Sequence, residues 1–126
     1  MATGSPLAAR LAAGKPLLLD AAMGTELDRR GVRTTLPLWS AIGLIAAPDV
    51  VRQIHLDNLA AGADIITTDT FRTIRRTFAK AGRDPQEGVR LNAVAVDLAR
   101  AARDKANRPD ALIAGSIAPL EDCYSP

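Results

Sequence analysis

Short apolar runs rich in branched side chains alternate along the chain with longer stretches in which apolar residues recur at helical spacing. Three runs read as strands: Pro16-Leu-Leu-Leu-Asp20, Ala63-Asp-Ile-Ile-Thr-Thr-Asp69 and Ala111-Leu-Ile-Ala-Gly115. Between them, residues 48–62 place Val51, Ile54, His55, Asn58 and Leu59 on one helical stripe, and residues 84–107 do the same with Leu91, Ala95, Leu98 and Ala102. Asp84-Pro85-Gln86-Glu87 has the form of a capping box with proline in the first helical position. Shorter helices are predicted over 7–13, capped by Ser5 and ended by Gly14, and over 74–81, closed by Gly82. Residues 32–47, punctuated by Pro37 and Gly43 and followed by Pro48, read as a long, partly ordered loop with one helical turn at Trp39-Ser-Ala-Ile.

This alternation implies an α/β fold with a parallel βαβαβ order, because parallel neighbours need a crossover of a dozen or more residues. The strand ends at Asp20, Asp69 and Ser116 then share one rim. Barrels and open α/β sheets both bind ligands at the carboxyl ends of their strands, so position alone makes these residues site candidates. Thr67, Thr68 and Thr70 belong to the same rim. The residues themselves leave open whether Asp20 caps the next turn or faces a ligand, and whether Asp69 does more than close a strand-end hydrogen bond. Small residues at Ala21, Ala22 and Gly24 let the backbone approach a bound molecule closely.

At 126 residues the chain suits one domain, and with nearly half its residues apolar and few aromatics its core is built from Ala, Val, Leu and Ile. Sixteen basic against fourteen acidic side chains give no concentrated positive field, which argues against a nucleic-acid partner. Arg72, Arg75, Arg76, Lys80 and Arg83 form a basic cluster able to bind an anion or RNA, but without interleaved aromatics and with balancing acids elsewhere a solvated face is favoured. His55, on an apolar stripe, reads as a satisfied, partly buried histidine rather than a catalytic one. No signal peptide or membrane span is expected, and a single cysteine, Cys123, rules out an intramolecular disulfide and fits a reducing cytoplasm. No Gly-rich dinucleotide or phosphate loop follows any strand, which weakens an open-sheet nucleotide binder.

The stretch Leu17-Leu-Leu-Asp20-Ala-Ala-Met-Gly24-Thr-Glu-Leu-Asp-Arg-Arg-Gly31 resembles the opening motif of the homocysteine S-methyltransferase family, Asp-Gly-Ala-Met-Gly-Thr-Glu-Leu, with Ala21 in place of its first glycine. Asp49-Val-Val-Arg-Gln-Ile-His55 with Ala61-Gly-Ala-Asp-Ile-Ile-Thr-Thr-Asp-Thr-Phe71, and Ala114-Gly-Ser-Ile-Ala-Pro119, are similar to its second and third signatures. The resemblance implies the first three strands of a (β/α)8 TIM barrel, with residues 1–126 a truncated N-terminal portion of the domain. It implies transfer of a methyl group from a donor such as S-methylmethionine to homocysteine, giving methionine. Asp20 would meet the ammonium group of homocysteine and the backbone near Ala22 and Met23 its carboxylate. Asp69 stands where the family usually carries asparagine, so its charge either pairs with an arginine or repels the substrate carboxylate.

The family also implies zinc, held by three cysteine thiolates from later strands. Those ligands are absent here and Cys123 lies outside their positions, so the resemblance implies no metal ligand and no catalytic residue in this chain, which alone is expected to be inactive. The alternative is a non-catalytic assembly partner: three strands of an eight-stranded barrel leave open edges through which the chain associates with itself or with a complementary chain.

Overall fold

The computed structural model describes residues 4–121 and Tyr124. Cys123 lies outside the described residues. Eight elements follow one another: α1 (Pro6–Ala12), α2 (Gly24–Arg29), α3 (Ala41–Ala46), α4 (Pro48–Ala60), β1 (Ile65–Thr67), α5 (Arg75–Lys80), α6 (Pro85–Lys105) and β2 (Leu112–Ala114). β1 and β2 are parallel, with Ile65 opposite Leu112, Ile66 opposite Ile113 and Thr67 opposite Ala114.

The first predicted strand is corrected. Residues 16–20 are extended, but they contribute a single parallel bridge, Leu19 to Ile65. Leu18 O accepts from Asp64 N at 2.8 Å and Asp20 N donates to Ile65 O at 3.0 Å, so direction and neighbour are those of a parallel strand on the free side of β1. Leu18 and Leu19 remain 57% and 66% exposed, and a segment bonded on one side with uncovered side chains has little to extend its ladder.

α4 packs along α6, and their contact fills two core clusters. One gathers Leu59, Ala63, Ile66, Ala99, Ala102 and Ala111 behind the sheet; the other joins Leu27, Leu44, Val51, Ile54 and Ala95. Ala95, Ala99 and Ala102 are fully buried, and these small side chains let α6 approach closely. Leu91 and Leu98 pack against the second cluster from the same face. Gly88 continues that face: a Cβ there would stand 2.6 Å from Thr73 O and 2.9 Å from the buried Phe78 ring, so only glycine lets α6 lie against the chain entering α5.

Three local expectations change. Residues 41–46, read as loop, form α3; Ala41 and Leu44 are buried against the rest of the core, and burial rather than capping makes this helix. Ser5 makes no side-chain cap on α1. At α6 the Asp84 carboxylate accepts from Gln86 N at 2.9 Å, but Glu87 turns to Arg83, at 2.8 and 2.6 Å, instead of reaching back to complete the box.

No helix among the described residues is long and apolar enough to cross a membrane.

Candidate functional site

The carboxyl ends of the three parallel segments open onto one cavity of about 670 Å3. Asp20 and Ser116 come from the outer segments and Thr67, Thr68 and Asp69 from the central one, so the shared rim expected from the alternation is present. Ala22 and Met23, from the turn into α2, line it as well.

The rim is tied together by threonines. Thr67 N donates to Asp20 Oδ2 at 2.7 Å and Thr67 Oγ1 to Asp20 Oδ1 at 2.9 Å, so the carboxylate straps its own segment to the end of β1. Each oxygen keeps one lone pair for another donor. Beyond β1, Thr70 Oγ1 donates to Ser116 O at 2.8 Å and accepts from Ser116 N at 3.0 Å, clasping the loop after β1 to the loop after β2.

Asp69 is in a different condition. It is 3% exposed, and its Oδ2 has no hydrogen-bond partner. Burial pushes its pKa up to about 7, against the opposing influence of a hydrogen bond with the Ser40 side chain. Among the described residues it forms no ion pair, so the arginine partner considered for it is not in place.

Arg72, placed by its sequence neighbours on a solvated face, is instead buried, and this is a correction. The other members of that cluster are exposed; Arg76 and Lys80 pair with Glu121, and Arg83 with Glu87. Arg72 turns inward to the cavity, with its guanidinium carbon 5.3 Å from the centre of the Phe71 ring and its Nε without a partner. The run Thr-Phe-Arg-Thr has no apolar periodicity to announce that turn.

His55 is likewise corrected: it is fully buried on α4, and neither ring nitrogen has a partner. Burial lowers its pKa, and the nearby charge of Asp20 opposes that shift in part.

Two contributors went unnoticed in the sequence. Trp39 has a left-handed backbone (φ 47°) that large residues rarely adopt, and its indole lies so close to Gly24 that a Cβ there would overlap Nε1 and stand 2.9 Å from Cε2. Ser40 follows it and reaches Asp69. The only sequence signal was the small residue at Gly24, which shows that something comes near without saying what.

Residues 17–126 match the family model described as homocysteine S-methyltransferase. The chain belongs to the homocysteine S-methyltransferase family. It is 40% identical over 124 residues to the homocysteine S-methyltransferase of Escherichia coli (strain K12), an alignment covering 94% of this chain and 40% of that protein. It is 41% identical over 92 residues to the selenocysteine methyltransferase of Astragalus bisulcatus, covering 73% of this chain and 27% of that one. The crystal structure of the homocysteine methyltransferase MmuM from Escherichia coli in its oxidized form superposes with a TM-score of 0.80 at 37% identity, over 92% of this chain and 41% of that chain; a metallated form of MmuM gives 0.78. This member of the homocysteine S-methyltransferase family thus spans about two-fifths of the length of its Escherichia coli relatives.

Among the described residues, no three His, Cys, Asp or Glu side chains are grouped to hold a metal ion.

Proposed function

We propose that these residues form the amino-acid-binding part of a homocysteine S-methyltransferase, in which a methyl group passes from a positively charged donor such as S-methylmethionine to the sulfur of homocysteine, yielding methionine. The observation that carries this reading is the convergence of Asp20, Ala22, Met23 and Asp69 on one cavity in a chain of this family. Asp20, held by Thr67 with lone pairs to spare, receives the ammonium group of homocysteine. Asp69 lies in the same wall and gives the cavity a second acid. The role of these residues is to grip and orient the amino-acid end so that the thiol points away from the rim.

The extended 17–20 segment, β1 and β2 follow one another side by side in chain order and in one direction, which supports residues 1–126 as the opening of a (β/α)8 barrel. The catalytic half belongs elsewhere. Family resemblance assigns zinc to cysteines that this sequence lacks. Calorimetric titration of homocysteine into the 126-residue chain should show weak binding, and incubation with S-methylmethionine should yield no methionine. No binding at millimolar homocysteine would remove the pocket assignment, and robust turnover would remove the division into binding and reactive parts.

The second reading, assembly through open edges, is supported by Leu18, Leu19 and Ile117, which are 57%, 66% and 96% exposed around the sheet. Sedimentation decides it: a monomer at micromolar concentration leaves the edge without a partner, whereas concentration-dependent dimers favour association.

A further inference from the structure

The cavity holds a cation that the amino-acid reading so far does not use. Arg72 is 9% exposed, makes no ion pair among the described residues, and keeps an unpartnered Nε. A buried guanidinium without a counter-charge is expensive, and an anion entering the cavity would offset that cost. Phe71 helps hold it in place: the guanidinium carbon stands over the ring, 5.3 Å from its centre, in a cation–π contact. The same cavity is lined by Asp69, whose buried Oδ2 has no partner, and by Asp20. A cation at Arg72 and an acid at Asp20 lining one space match a zwitterion.

We propose that Arg72, seated on Phe71, is an anion subsite of this cavity that takes the α-carboxylate of an amino-acid ligand whose ammonium group faces Asp20 and Asp69. The inference rests on the amino-acid-binding reading above and adds the group that reads the carboxylate. A planar guanidinium offers two parallel N–H donors to the two carboxylate oxygens, which a backbone N–H cannot do alone. It selects α-amino acids over amines of the same length. Homocysteine and an amino-acid methyl donor both carry such a carboxylate, and the experiment separates them.

The 126-residue chain is titrated with homocysteine, its decarboxylated analogue, S-methylmethionine and acetate, and the arginine Nε–H resonances are followed by nitrogen-edited NMR while affinities are taken by calorimetry. Arg72→Gln, Arg72→Lys and, as a charge-matched control on an exposed position, Arg75→Gln are compared. We expect homocysteine to move the Arg72 Nε–H signal and its decarboxylated analogue to leave it in place. Arg72→Gln should weaken homocysteine roughly ten- to a hundredfold, leave the decarboxylated analogue unchanged, and Arg75→Gln should change neither. The same pattern with S-methylmethionine in place of homocysteine assigns the subsite to the methyl donor. Equal weakening of both the carboxylate-bearing ligand and its analogue, or no movement of Arg72 Nε–H with any ligand, overturns the proposal. Homocysteine bound equally by wild type and Arg72→Gln overturns the subsite and spares the homocysteine pocket; acetate moving Arg72 Nε–H while neither amino acid binds does the reverse. Should Arg72→Gln fail to fold, Arg72→Lys, which keeps the charge without the fork, and the wild-type resonances decide.

Discussion

The two acidic strand ends of this cavity sit in the same kind of place and are built in opposite ways. Asp20 is held on both oxygens by one threonine and acts as a strap between neighbouring segments. Asp69, on the central strand's extension, is more deeply buried, is met only by the Ser40 side chain, and shares the cavity with an unpaired Arg72. A polar group whose bonds are closed within the chain contributes to the fold whatever else it does, whereas a buried group with an open atom weakens the empty fold and has its use when something fills the cavity.

Substitutions at the two ends should therefore have opposite signs. The largest effect is expected from Asp20→Ala, which leaves Thr67 N–H and Oγ1 without their acceptor at the rim; roughly 2–5 kcal/mol of stability should be lost in urea unfolding. A loss below 1 kcal/mol would show that the strap is incidental.

Asp69→Asn should instead stabilise the chain at neutral and alkaline pH. With its pKa raised from an ordinary carboxylate value to about 7, folded Asp69 holds a proton that the unfolded chain has already released, so stability falls as pH rises from about 4 to 7. The asparagine variant removes that slope. Its advantage should be absent below pH 4 and approach an upper limit of about 4 kcal/mol above pH 8, as read from unfolding midpoints across the pH series. Parallel pH profiles for the two proteins would mean that Asp69 is solvated.

Gly24→Ala tests the wall between the two ends. The added methyl must push Trp39 aside, at a cost of about 1–3 kcal/mol, and a shift in the tryptophan emission maximum should accompany the loss. The smallest effect belongs to Thr70→Val, which deletes the clasp to Ser116 and should cost about 1 kcal/mol. Hydrogen exchange at Ser116 N–H, quickened in the variant, would locate that loss in the loop after β2.

Much of the architecture was legible because it is written in local terms. The stripes of α4 and α6 rest on a spacing that any amphipathic helix repeats, and Pro48, Pro85 and Gly82 mark boundaries by what their backbones can adopt. The three acid or hydroxyl tips were placed on one rim by the parallel direction alone. α3 is not visible in the sequence because its stability comes from burying Leu44 with Leu27, the Val51 and Ile54 face of α4 and Ala95 of α6, which no local spacing shows. Arg72 was misassigned for the converse reason: charge and neighbours put it on the surface, and only the turn after β1 carries it inside.

The sequence by itself determined the family, the parallel order of the segments and the placing of Asp20 and Asp69 at segment ends with Ala22 and Met23 just after the first, since periodicity, capping and motif are properties of neighbours along the chain. The tertiary structure alone decided which polar atoms are closed and which stay open, because desolvation and hydrogen-bond satisfaction depend on residues brought together from distant positions: Thr67 for Asp20, Ser40 for Asp69, and none for the Nε of Arg72.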